Sequence, residues 1–554
     1  MTAGVGRTPE PGASVRMHPL AAWAVLLAAS LGVLLAGAEL MVVAIALPAI
    51  VVDFGGWTDL ARASWIVNGY LLAFVVAMPV AGRAADLWGA RRLYVIALLL
   101  FSAGSAGAAL SRVAGPETGI AWLIAARVVQ GAGGGALVPL SMALASHLFA
   151  GRARSVALGV EGAATFVGMA VGPAYGAWVL LDVSKSLSLP GLDIAPWQWI
   201  FLLNVPIALL TLLLLYVIAG GIETPRHPAP LDLGGAVLAS IALVAGVGAV
   251  SLAGADGWAA PQVLGGLALG IGGLVLFAWY EGRRAAPLID LRLFADRRFS
   301  AANGVSLLTG YTLATAIIGG PVFVDRVLFA PDEAAAAAAA LTALTVAIAA
   351  GAVGGGLLGT VVGERPLTVL GVVLSAVALW LALGWGTQTE LGRLVRDLAV
   401  FGVGFGLTVS PRATSAVGAA GPAAYGVASA MLQITRTVGM SIGLALLTSI
   451  GQSRIDELSA LINDPARRDA LVRTLGHPEF VGVDPNNSLQ LVALLETWSS
   501  GQAADVLRLV LAIALGVAVA TVVPALALGG SGRANRDRMP AGEPAGGARD
   551  APVS

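Results

Sequence analysis

Charged side chains stand where apolar sequence should exclude them. Glu39 lies in Ala38-Glu39-Leu40-Met41-Val42-Val43-Ala44-Ile45-Ala46-Leu47-Pro48, within a long apolar run, and Arg127 opens Arg127-Val128-Val129-Gln130-Gly131 within another. A charge inside such a run is costly, so it faces a cavity, an ionic partner or a proton path. For Glu39 the functional reading stands against an acid silently paired with a neighbouring helix. Arg436, in Gln433-Ile434-Thr435-Arg436-Thr437-Val438-Gly439-Met440, has no local acid. Helical spacing puts Gly439 and Gly443 on its face, which suits either a close-packed or a cavity-facing stripe.

A polar loop, Gly82-Arg83-Ala84-Ala85-Asp86-Leu87-Trp88-Gly89-Ala90-Arg91-Arg92, separates the apolar runs 65–81 and 93–110. So short a loop makes the flanking helices antiparallel neighbours, and its arginines place it in the cytoplasm. Gly82 and Gly89 permit tight turns and close backbone approach. Asp86 can meet an arginine or a helix N-terminus.

Other local patterns read as packing. The run Gly131-Ala132-Gly133-Gly134-Gly135 follows no strand and lacks a Lys-Ser/Thr ending, so it is helix-packing glycine and no phosphate loop. Gly159, Gly168, Gly172-Pro173 and Gly176 share the next run, and Pro173 is expected to bend it. Glu161 reads as a surface acid, solvated or paired with Arg152 or Arg154. Trp65 reads as an interfacial anchor, and Asn68 and Tyr70 as helix–helix hydrogen bonds.

These residues must be held by membrane helices. Hydrophobic residues make up 57% of the 554 and charged residues only 12%, beyond what a soluble protein of this size would carry. Apolar runs of about 20 residues recur about 14 times, the length needed to cross a bilayer. The first is too long for a cleaved signal segment and is retained. An even number puts both termini on one side, and the 82–92 assignment makes that side cytoplasmic. Net charge is zero, with no hint of nucleic acid. There is no cysteine, and the four histidines are scattered, so no metal set, cofactor site or nucleophile–base pair stands out and an enzyme is not expected.

In order, the chain reads as a cytoplasmic tail (1–19), six helices (20–220), two helices between short linkers (231–281), six more helices (299–529) and a disordered tail (530–554). The segment Pro287–Phe294 is expected to lie amphipathically at the cytoplasmic surface. Gly356, Gly363, Arg365 and Leu367 repeat the spacing of Gly82, Gly89, Arg91 and Leu93, with Thr360 in the place of Asp86. Leu398 similarly replaces Arg127 ahead of Gly402–Gly406. Such internal symmetry is common in transporters. Helical periodicity continues past Ile450 to Ile462, and a helix over 424–462 would be roughly 58 Å long. The last two helices are therefore expected to project outside as an antiparallel pair over 452–500.

The 82–92 pattern resembles the signature loop of the major facilitator superfamily. The spacing of Gly159, Gly168, Gly172, Pro173 and Gly176 resembles the antiporter signature of its drug exporters. With Trp197–Pro206 and the two inserted helices, the whole chain resembles the 14-helix drug:proton antiporter group. The resemblance implies an all-α membrane protein of 14 transmembrane helices: two six-helix bundles related as inverted repeats, plus two inserted linker helices. By carry-over, Glu39 and Arg127 couple protons; Gly82, Asp86, Gly89, Arg91 and Arg92 form a cytoplasmic gate; Gly168, Gly172, Pro173 and Gly176 form the antiport kink. Arg436 is a cavity or coupling candidate.

The implied function is proton-coupled export of hydrophobic or amphipathic compounds, drugs or lipids, by alternating access from a bacterial inner membrane. The Val324-Asp325-Arg326 region and the long final pair resemble a mycobacterial branch that exports triacylglycerides with a lipoprotein partner. Lipid extraction with a periplasmic lipoprotein is therefore an alternative, and a monomer is expected. A non-transporting sensor or scaffold on the same fold is the alternative of another class.

Overall fold

The computed structural model describes residues 18–54, 60–183, 194–218, 229–328, 333–464 and 488–529. Among these residues there are fourteen α-helices and no strand. They are α1 (Pro19–Asp53), α2 (Leu60–Trp88), α3 (Ala90–Ala109), α4 (Gly115–Leu148), α5 (Gly151–Trp178), α6 (Gln198–Ile218), α7 (Leu233–Asp256), α8 (Pro261–Glu281), α9 (Arg297–Phe323), α10 (Glu333–Val362), α11 (Glu364–Ala382), α12 (Leu391–Ala420), α13 (Tyr425–Asn463) and α14 (Ser488–Ala527). All fourteen are long and apolar enough to cross a membrane. Hydrocarbon offers backbone groups no hydrogen-bond partner, so an apolar chain crossing it closes its bonds within each helix. Residues 1–17 of the expected tail 1–19, the expected tail 530–554 and most of the connection between α13 and α14 fall outside the described residues.

The packing repeats. In the first half α1 lies on α4, α5 and α6, α2 on α4, and α3 on α4 and α6. The second half repeats every pair, with α9 on α12, α13 and α14, α10 on α12, and α11 on α12 and α14. The halves meet through α5 against α10 and α12, and through α13 against α2 and α4, again related by the same repeat. At the α2–α3 and α10–α11 turns, Gly89 and Gly363 both have φ of 94°, where a β-carbon would be strained.

The inserted helices α7 and α8 pack on each other, and α7 leans on α2 and α13. The segment after them is two-sided. Leu288 and Ile289 are buried in a cluster with Ala236, Phe277 and Val427, and the buried Glu281 accepts the Ile289 N–H at 3.3 Å. Two adjacent apolar side chains and a backbone donor dock this part of the segment into protein, while Asp290, Arg292 and Phe294 stay exposed.

Helix α13 has 39 residues and α14 has 40. At 1.5 Å per residue they are about 58 and 60 Å long, against a ~30 Å hydrocarbon core. Arg454 on α13 donates to Gln502 on α14 at 2.5 Å, holding the two together at the end of the apolar part of α13. The exposed Asp325 and Arg326 pair with each other at 2.9 Å.

Candidate functional site

Glu39 is 1% exposed and turns into the first six-helix bundle. Arg127 on α4 donates through Nη1 to Glu39 Oε1 at 2.5 Å, and Asn204 on α6 donates through Nδ2 to Oε2 at 2.8 Å. Arg127 also donates to Gln130 Oε1 at 2.5 Å and, through Nε, to the Ile66 carbonyl on α2 at 3.2 Å. Ser105 on α3 joins the network, accepting from Gln130 and Asn204 at 3.1 Å each. The guanidinium lies over the Tyr70 ring at 4.1 Å.

Glu39, Arg127, Gln130, Asn204 and Ser105 are all buried, so the ion pair between α1 and α4, with partners on α3 and α6, is enclosed inside one half. Of the alternatives left by the sequence, the structure selects an ionic partner over an open cavity wall. Apart from Glu39, Arg127 has Gln130, the Ile66 carbonyl and the Tyr70 ring as partners. Asn204 and Ser105 were not singled out from sequence. Gln130, one turn from Arg127, could have been found by helical spacing.

The glycines of α5 serve this pair. A β-carbon at Gly172 would lie 2.6 Å from the carbonyl of Ala38, the neighbour of Glu39. One at Gly168 would strike the Leu34 carbonyl, and one at Gly176 the Val42 side chain at 2.8 Å. The stripe thus lets α5 lie directly on α1 along the turns bearing Glu39. Pro173 lies within the continuous helix α5, beside this contact.

Asp86 meets a helix N-terminus. Its Oδ1 accepts from the Gly426 N–H at 2.7 Å and its Oδ2 from Val427 at 3.0 Å, in the first turn of α13. Those N–H groups have no partner inside their own helix, and the positive end of the helix dipole favours the carboxylate. Gly82 makes the approach possible, since a β-carbon there would lie 2.6 Å from the Gly426 carbonyl. The arginine whose charge acts on Asp86 is Arg83. Arg91 is half-buried and Arg92 exposed, while Gly89 forms the positive-φ turn beneath them. Ser155 and Ser410 hydrogen-bond across the α5–α12 contact at 3.1 Å, a second tie between the halves.

Two expectations fail. Asn68 is exposed, whereas its neighbour Tyr70 is buried and donates to the Ala36 carbonyl at 3.5 Å. Glu161 is no surface acid. It is 1% exposed and about 15 Å along α5 from its first residue, with Ser30 of α1 donating to Oε1 at 3.0 Å. Arg154 turns away to the Phe149 carbonyl and the Tyr425 ring, and Arg152 is exposed. Local sequence could not show which face of α5 turns toward α1.

The Arg436 helix face divides its roles. Gly439 and Gly443 pack against Leu307 and Tyr311 of α9, so the glycine stripe is close-packed. The guanidinium instead reaches across to the Phe166 ring of α5, 5.4 Å from its centroid. Arg412 on α12 is buried like Arg127, and the rule for charges inside spans marks it in the sequence as well.

Known proteins agree with this architecture. A triacylglyceride transporter of Mycolicibacterium hassiacum is 31% identical over 463 residues, 79% of this chain and 82% of that protein. One of Mycobacteroides abscessus is 32% identical over 465 residues, 80% and 85% of the two chains. Among solved structures, a human organic anion transporter superimposes with a TM-score of 0.58 at 16% identity, covering 91% of this chain and all of that one. A proton:xylose symporter does so with 0.55 at 15% identity, covering 90% and 95%. The sequence profile of the Major Facilitator Superfamily matches residues 29–444. With its repeated six-helix halves and the match along most of its length, this chain belongs to the major facilitator superfamily.

Proposed function

We propose that the chain is a proton-coupled exporter that moves hydrophobic or amphipathic lipids by alternating access. The observation that carries the coupling is the buried Glu39–Arg127 pair, ligated by Asn204 and Gln130. A proton taken up by Glu39 cancels the charge that holds Arg127, loosening α1 against α4 beside the α1–α5 contact. Release of that proton restores the pair. A ligand or proton shifts such an equilibrium only by its differential affinity for the two states.

Lipid is favoured over drug because the relatives that match about four-fifths of the chain are named triacylglyceride transporters. The 82–92 face is the cytoplasmic one in this reading, both termini lie on it, and the Asp86–α13 contact is the cytoplasmic gate. The membrane is a bacterial inner membrane, and the projecting parts of α13 and α14 are where a periplasmic lipid-accepting protein would dock.

The test is reconstitution in vesicles with an imposed pH gradient, following a fluorescent triacylglyceride and a cationic dye. Wild type is expected to move the lipid faster with the gradient than without it, and Glu39→Gln to lose that stimulation. Equal lipid movement by both proteins, with and without the gradient, overturns the coupling. Movement of the dye alone overturns the lipid assignment.

A further inference from the structure

Where the halves meet, four side chains line up. Phe166 of α5 and Phe405 of α12 stack edge to face, ring centroids 5.5 Å apart. Arg436 lies 5.4 Å from the first ring and Arg412 lies 5.1 Å from the second. The charge of Arg436 acts unfavourably on that of Arg412. Arg412 is 4% exposed, and its one neutral partner is the Thr309 hydroxyl at 2.6 Å. Arg436 keeps a buried Nε with no hydrogen-bond partner. Among the described residues neither arginine has a salt bridge. The buried hydroxyl of Tyr311, in the same apolar cluster as Phe166 and Phe405, is also unpartnered.

A buried cation without an anion, as Arg412 is, is expensive, and the half-buried Arg436 beside it adds a like charge. Arginine presents a planar fork matched to phosphate and carboxylate oxygens. We infer that Arg412 and Arg436 form a binding site for the anionic head group of an amphiphile, phosphate or carboxylate, whose apolar part lies against Phe166 and Phe405. This rests on the lipid-exporter reading and deepens it, because a neutral lipid would leave both charges unanswered. The site spans both halves, with the arginines on one and Phe166 on the other, so its occupant would differ in affinity between conformational states.

The full-length protein in neutral detergent is titrated with fluorescent phosphatidic acid, with diacylglycerol of the same chains, and with inorganic phosphate as competitor. Phosphatidic acid is expected to bind roughly tenfold or more tighter than diacylglycerol, the scale of one charge-assisted hydrogen bond. Arg412→Gln and Arg436→Gln should each remove most of that preference, and Arg436→Lys should keep part of it. Competition by millimolar phosphate identifies the head group as sufficient; no competition identifies the amphiphile as the ligand. Equal binding of the two lipids by wild type, or a preference that survives both glutamine variants, overturns the site. Gradient-driven export of the neutral lipid by wild type, without a head-group preference, sinks the site and leaves the exporter. A preference without any transport does the reverse.

Discussion

The Asp86 carboxylate lies 2.7 Å from the backbone nitrogen of Gly426, across the seam between the halves of the molecule. A side chain from the first half thereby caps a helix of the second. The ends of α2 and α13 can separate only by giving up two charge-assisted hydrogen bonds.

Asp86→Ala should therefore open this end. Each such bond is worth about 1.5–3 kcal/mol, so the open population should rise tenfold or more. The chain has no cysteine, so a single Ala430→Cys reporter, buried beside Gly82, reads opening cleanly. A water-soluble maleimide should label it several-fold faster with Asp86→Ala than without. Equal labelling rates would show that the contact latches nothing.

Glu39 and Arg127 should behave as one unit. Removing either charge leaves its partner buried and alone, at a cost of about 3–5 kcal/mol. Glu39→Gln and Arg127→Gln should each lower the melting temperature in detergent. The double variant should fall by clearly less than the sum of the two, with proton coupling still absent. Strictly additive losses would mean that the 2.5 Å contact carries no pairwise energy.

Gly172→Ala should be costly where Gly272→Ala is not. The added methyl meets the Ala38 carbonyl at 2.6 Å in the first case and open space in the second. Overpacking costs about 1–3 kcal/mol, whereas alanine for glycine in an open helix gains up to about 1 kcal/mol. Melting temperature should move in opposite directions, and only Gly172→Ala should slow transport. Matching shifts in the two variants would remove the α5–α1 contact from the account.

Glu161→Gln tests a buried acid that has Ser30 as a partner and no salt bridge among the described residues. The amide has the same shape and can still accept from Ser30, so there is no pair to break. Melting temperature should match or exceed that of wild type, in contrast to Glu39→Gln. A comparable drop in both would reveal a cation partner for Glu161 in the folded protein.

The membrane helices and the repeated turns were legible in the sequence because both rest on local physics. Hydrocarbon demands long apolar runs with internally closed backbone bonds, and a turn like that at Gly89 and Gly363 demands a residue without a β-carbon. Charges inside spans flagged Glu39, Arg127 and Arg436 for the same reason: burial is costly wherever it occurs. What remained open was direction. Asp86 could have met an arginine or a helix end, and Glu161 could have faced water or α1. The Arg436 face could have lined a cavity or packed on α9. Each choice depends on how a helix is rotated and which neighbour, often a hundred or more residues away, lies against it. Asn204 reaches Glu39 across 165 positions, and Asp86 reaches Gly426 across 340. Such pairings are set by packing of the assembled bundle, so residue types alone mark a charge as important while its partner is chosen in three dimensions.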